Sequence, residues 1–241
     1  MEECISVFDM LKIGVGPSSS HTLGPWRAAE RFLGELRNEN LLHKTTQVKV
    51  DLYGSLSLTG KGHATDLAVM LGLSGQDPEY IPVQNIAGII KEIEEKNEIN
   101  LGNEHPIPFS FLMDIVFNKN FLPFHANGLT FTAFLDDNAT YIATFYSIGG
   151  GFVVKEDRPN AKKKLEIKCA FPFPIQNAEA LLNYTIQENK SISEIVYENE
   201  KSMRTETEID HELMRIWSTM LECMFIGCHS EGILPGGLNV R

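Results

Sequence analysis

The chain has 241 residues, 43% of them hydrophobic and 22% charged, a composition that excludes a disordered polymer and is sufficient for one or two packed cores. The net charge of −11, with no basic stripe beyond Lys162, Lys163 and Lys164, argues against a nucleic-acid surface. No run of about 18 apolar residues is present to span a membrane, and the opening MEECISVFDM lacks the basic-then-apolar shape of a signal peptide, so a cytoplasmic location is expected.

The first informative stretch is Gly14-Val15-Gly16-Pro17-Ser18-Ser19-Ser20-His21-Thr22. Two glycines and a proline set a tight backbone, three hydroxyls follow, and an imidazole stands just ahead of a helical pattern from about Pro25 to Arg37. Backbone N–H groups at a helix start favour a phosphate or carboxylate, and serine hydroxyls add donors that rotate to fit. GPSSS before a helix reads equally as an ordinary turn and N-cap.

Trp26, Ala29, Leu33 and Leu36 then fall at helical spacing. Val48, Val50 and Leu52 alternate with Gln47, Lys49 and Asp51, which predicts a half-buried strand. In Thr59-Gly60-Lys61-Gly62-His63-Ala64-Thr65-Asp66 a glycine-bounded turn places His63 at the start of the next helix, where it is either functional or an N-terminal filler. Ile86, Ile89, Ile90 and Ile93 mark an amphipathic helix with acidic residues on its wet face. Apolar residues at 109, 111, 113, 115 and 117 predict a long strand, and Leu129 to Leu135 pairs through Asp136-Asp137-Asn138 with Tyr141 to Tyr146 in a hairpin. His125 and Asn127 sit on the loop Pro123-Phe124-His125-Ala126-Asn127-Gly128, a setting where functional polar groups collect. Gly149, Gly150 and Gly151 imply close backbone approach or a plain bulge.

Residues 156–169 are polar and read as a linker. Beyond them the pattern is helical, ending in a long helix over Ile209 to Phe225 whose apolar face is broad enough to need a covering partner. Cys4, Cys169, Cys223 and Cys228 show no CxxC or other dense ligand spacing, so packed core thiols are expected and a zinc or disulfide framework is not. The expected fold is α+β: a mainly antiparallel sheet with helices over residues 1–155, the linker, and a helical segment from 170 to 241.

Taken as a set and in this order, GPSSSHT, TGKGHATD, FHANG, YSIGGG and GILPGGLNV resemble the oxygen-sensitive iron-sulfur L-serine dehydratases, also called L-serine ammonia-lyases. Residues 1 to about 155 are similar to that family's β domain, itself similar to the allosteric substrate-binding domain of some D-3-phosphoglycerate dehydrogenases. Residues from about 170 are similar to the opening of its α domain. The resemblance implies conversion of L-serine to pyruvate and ammonia without pyridoxal phosphate, in amino acid catabolism and gluconeogenesis. It also implies a 4Fe-4S cluster on cysteines beyond position 241, a homodimer, and a single-chain enzyme of which this is the N-terminal portion. By the same resemblance His63 is the general base and His21 and His125 flank the pocket. Ser18, Ser19, Ser20 and Thr22 would hold the substrate, with Asn127 and Tyr146 completing the polar wall. An imidazole titrating near neutrality suits removal of an α proton. The alternative is a regulatory domain that binds a small carboxylate through the serine-rich cradle without catalysis. Three histidines on separate loops favour chemistry, because anion sensing more cheaply uses arginine.

Overall fold

The computed structural model describes residues 5–156 and 171–233. In chain order the elements are Val7–Met10 (α1), Gly24–Asn38 (α2), Thr45–Leu52 (β1), Gly54–Thr59 (α3), Thr65–Leu73 (α4), Val83–Lys96 (α5), Glu98–Leu101 (β2), His105–Pro108 (β3), Phe111–Asp114 (α6), Ile115–Phe117 (β4), Gly128–Leu135 (β5), Thr140–Gly149 (β6), Phe152–Lys155 (β7), Ala178–Glu188 (α7), Ile192–Lys201 (α8) and Glu206–His229 (α9). They sort into two compact units, one within residues 14–156 and the other made of residues 5–13 with residues 171–231.

The first unit is built on a five-stranded sheet in the order β4-β1-β5-β6-β7. Only the β1–β4 pair is parallel; the other three are antiparallel, so the expected α+β fold with a mainly antiparallel sheet is what the chain adopts. Alternation in β1 does what its pattern predicts: Val48, Val50 and Leu52 are buried while Gln47, Lys49 and Asp51 face outward or sit half-buried. Their partners across the ladder, Ala133, Phe131 and Leu129, are buried too. Helix α2 lays Trp26, Ala29, Phe32, Leu33 and Leu36 on this core, and Phe32 stacks on Phe131 with centroids 4.9 Å apart. Gly72 of α4 lies so close to Ala29 and Trp26 that a Cβ would collide, which lets α2 and α4 pack backbone to backbone.

One expectation fails here. Residues 109–117 are not one strand: β3 ends at Pro108, α6 makes a single turn, and β4 starts at Ile115. The cause is Asp114, buried at 5% exposure, whose carboxylate accepts from the Ser110 amide (2.6 Å) and from Gln47 Nε2 (2.8 Å). That capping folds the segment back on itself and leaves Leu112 and Met113 exposed. Pro106 and Pro108 cannot donate to a ladder and confine β3 to a two-stranded hairpin with β2.

The second unit contains α1, α7, α8 and α9. Residues 5–13 are tied into it by Glu200, which is 2% exposed. Its carboxylate accepts from Ser6 Oγ (2.9 Å), the Val7 amide (2.7 Å) and Arg204 Nη1 (2.9 Å), so the buried charge is paired. Capping boxes Ser191–Glu194 and Thr205–Glu208 start α8 and α9. Met214, Trp217, Met220, Leu221, Met224 and Phe225 of α9 are exposed, the broad apolar face that the sequence predicts. Cys223 and Cys228, expected as core thiols, are free and exposed on this helix because nothing among the described residues covers it. Cys4, Cys169, nearly all of the 156–169 linker and most of GILPGGLNV lie outside the described residues. Among the described residues no helix is long and apolar enough to cross a membrane.

Candidate active site

The serine-rich stretch forms a wide turn. Ser18 is its cap, and Ser19–Leu23 make one π-helical turn that runs directly into α2, with the Leu23 amide bonded back to the Ser18 carbonyl at 3.2 Å. Such single wide turns mark functional positions in many folds. Ser18 Oγ accepts from the His21 amide (3.2 Å) and lies 3.4 Å from Ser20 Oγ, so the cap and the imidazole are fixed together. The joint with α2 requires Gly24, because a Cβ there would overlap the Ser147 hydroxyl. Ser147, fully buried, donates to the Ser20 carbonyl at 2.7 Å.

His63 does not open a helix as expected. It closes a 3-10 turn, Gly60–His63, and Ala64 follows in the left-handed region at φ +54° before α4 begins at Thr65. For a residue with a Cβ this conformation costs roughly 1–2 kcal/mol, and it persists where surrounding contacts over-determine it. Two reciprocal hydrogen bonds do so: Thr22 Oγ1 donates to the His63 carbonyl (2.8 Å) and Thr65 Oγ1 to the His21 carbonyl (2.6 Å). The two histidine-bearing turns are thereby clasped face to face, with ring centroids 5.0 Å apart and planes 37° apart.

The partners of each ring fix what it can do. His63 Nδ1 lies 2.9 Å from the Thr59 carbonyl. A carbonyl has no proton to give, so Nδ1 carries the hydrogen and Nε2 of the neutral ring holds a lone pair. His125 is the opposite tautomer. Its Nδ1 accepts from the Asn127 amide at 3.1 Å, which leaves an Nε2–H donor. His21 is held by hydroxyls at both nitrogens, Ser20 Oγ at Nδ1 and Ser55 Oγ at Nε2, each 2.9 Å. Burial, and then the adjacent His63 charge, hold His21 below the usual imidazole range, against a smaller opposing effect of the Ser55 backbone.

That depression has a consequence for stability. As pH falls below about 6.5 the unfolded chain takes up a proton that folded His21 refuses. The stability present above that pH is therefore lost progressively down to the folded pKa. The thermal midpoint of the sheet unit is expected to fall over this window, and His21→Asn to flatten the fall; an unchanged slope in the variant would show that His21 does not contribute.

Of the residues singled out in the sequence, Ser18, Ser20, His21, Thr22 and His63 meet in this cluster. Thr22 is only 3% exposed and its hydroxyl is spent on the frame. Ser19 is exposed beside them, its carbonyl accepting from Gly24 N. Asn127 is buried and bridges to Ser147 through Nδ2→O (3.1 Å) and O←N (3.0 Å). His125 reaches the cluster only through its loop, whose Ala126 carbonyl accepts from the Ser55 amide at 2.9 Å. Tyr146 is buried with its hydroxyl donating to Glu156 (2.7 Å); burial first, then that carboxylate, push it up to about 12, so it stays a donor at neutral pH. Ser55, Thr65 and Ser147 were not foreseen. The one signal for Ser55 is the glycine before it at the end of a strand.

An α+β unit that presents a histidine pair inside a ring of hydroxyls is equipped for acid–base work on a small polar molecule. The serine dehydratase beta chain model matches residues 6–158, and the chain belongs to that family. It is 41% identical over 240 residues to an L-serine dehydratase of Haemophilus influenzae, 40% over 237 residues to L-serine dehydratase 1 of Escherichia coli, and 44% over 239 residues to an L-serine dehydratase of Streptomyces coelicolor. Each match takes in 98% of this chain and 52% of the relative, so the chain spans about half the length of the curated relatives it matches.

Proposed function

We propose that this chain supplies the substrate-placing and proton-abstracting groups of an L-serine ammonia-lyase. The observation that carries the reading is the His21–His63 pair, in which the Thr59 carbonyl leaves the His63 Nε2 lone pair without a hydrogen-bond partner among the described residues. Ser18 and Ser20, with the Ser19 and Ser20 amides that open the wide turn, receive the serine carboxylate; His21 holds its neighbours in place; His63 Nε2 takes the proton from Cα. The electron pair left at Cα forms the double bond to Cβ as hydroxide leaves. The resulting aminoacrylate tautomerises to the imine, and water releases pyruvate and ammonia. His125, with Nε2–H available, donates to the substrate from the adjoining loop.

The 4Fe-4S cluster that the resemblance implies has no ligand set in the described part of the chain: no group of three or more His, Cys, Asp or Glu among the described residues is placed to hold a metal ion, and Cys223 and Cys228 stand exposed on α9. No step is assigned to it. The test is product analysis with the complete enzyme and L-serine. Pyruvate and ammonia in equal amounts are expected; saturable L-serine binding without either product would favour a sensing domain.

A further inference from the structure

We propose that Ser55 is a positioning residue of this site, whose side chain fixes His21 while its backbone fixes the loop that carries His125. This rests on the lyase reading for its catalytic consequence, though not for its geometry. Ser55 Oγ lies 2.9 Å from His21 Nε2, and the Ser55 amide donates at 2.9 Å to Ala126, the residue between His125 and Asn127. The turn before it is pinned in the same direction, with the Tyr53 amide on the Gly128 carbonyl (2.9 Å) and the Gly54 amide on the Asn120 carbonyl (2.8 Å). Gly54 has φ +54°, and a Cβ there would overlap the Ala126 carbonyl and the Phe121 ring. Strand β1, helix α3 and the 118–127 loop therefore meet at one dipeptide, of which only Ser55 reaches into the histidine pair.

The consequence for His21 is steric as well as electronic. One ring nitrogen is held by Ser20 from the same turn, and the other by a residue 34 positions away. With only the first contact the ring would keep its χ2 freedom, since this torsion is broad and two-fold. The second contact fixes the ring plane against His63, on which the 5.0 Å centroid distance depends. Removing a hydroxyl that fixes a reacting group's neighbour is expected to misplace it by a fraction of an ångström to an ångström, and such misplacement lowers rate more than binding.

The test has two arms. In this chain labelled with 15N-histidine, Ser55→Ala is expected to move the His21 ring-nitrogen resonances and to leave those of His105 in place, while Ser55→Thr, which keeps the hydroxyl, restores them. In the complete enzyme, Ser55→Ala is expected to lower kcat about a hundredfold with a smaller change in KM, and Ser55→Thr to recover most of it. Unmoved His21 resonances in Ser55→Ala overturn the proposal. So does a loss of activity that Ser55→Thr fails to recover. If Ser55→Ala does not fold, Ser55→Cys, similar in shape with a weak hydrogen-bonding group, takes its place under the same criteria. A wild-type enzyme that does not turn over L-serine would sink the lyase reading, and the resonance arm would still decide the role of Ser55.

Discussion

Replacing His63 by alanine in the complete enzyme is expected to lower kcat by about 10²–10⁴-fold, the range for loss of a general base, while L-serine binding changes far less. The expectation follows from tautomer and place. The Thr59 carbonyl commits Nδ1 to carry the proton, so a neutral His63 can only act as an acceptor at Nε2. Thr22 and Thr65 hold the two turns by their backbone carbonyls, so deleting the imidazole removes the proposed base without loosening the clasp. A KM effect with kcat intact would mean that His63 merely contacts substrate. His211 is the control: its side chain is 74% exposed beside Glu212 on α9, and His211→Ala is expected to leave turnover unchanged.

The second large effect is on stability. Phe131→Ala is expected to destabilise the sheet unit by about 3–5 kcal/mol, as large-to-small aromatic replacements in packed cores do. Phe131 is fully buried in β5 between Val50 of β1 and Ala143 of β6. It stacks on Phe32 at 4.9 Å and meets Phe145 edge-on at 5.9 Å, so truncation opens a void between the sheet and α2 and removes two aromatic pairs at once. The measurement is denaturant unfolding of this chain. A loss below about 1 kcal/mol would show that the core collapses into the space, contrary to the close packing described. Because α2 grows directly out of the Ser19–Leu23 turn, the same variant is expected to loosen the His21 environment.

Much of the scaffold was legible because its causes are local. Period-two burial in β1 and β5, the hairpin at Asp136-Asp137-Asn138 and the α2 stripe each follow from side-chain spacing over a few residues. The capping boxes that start α8 and α9 are local too, each closed within three residues. What failed did so through contacts distant in sequence. The 109–117 alternation has the period of a strand, but the Asp114 carboxylate, supported by Gln47 on another strand, turns it into a helical turn. The parallel pairing of β4 with β1 has no local signature, since the connection runs through residues 53–114.

The site shows the same division. The serine-rich turn, His21 and His63 stood out by residue type, as did His125 and Asn127 on their loop. Which of them touch was not legible, nor was the wide π-helical turn, which is too short to leave a period. Ser55 was not legible because a serine in SLSLT is ordinary sequence, and although Thr65 and Ser147 stand within TGKGHATD and YSIGGG, nothing in those motifs marks them as framing residues. Their importance arises only when chain segments dozens of residues apart are brought within 3 Å. Tyr146 was visible, yet its hydroxyl turned out to face Glu156.

The central claim is that one small amino acid lies between the serine-rich turn and the lone pair of His63. A crystal structure of the complete enzyme with L-alanine, which has the carboxylate and α proton of serine but no leaving hydroxyl, tests it most directly. The carboxylate is predicted among Ser18, Ser20 and the turn amides, with Cα about 3–3.5 Å from His63 Nε2, the separation of a reacting pair. A ligand bound elsewhere, or seated here with Cα turned away from His63, would contradict the account.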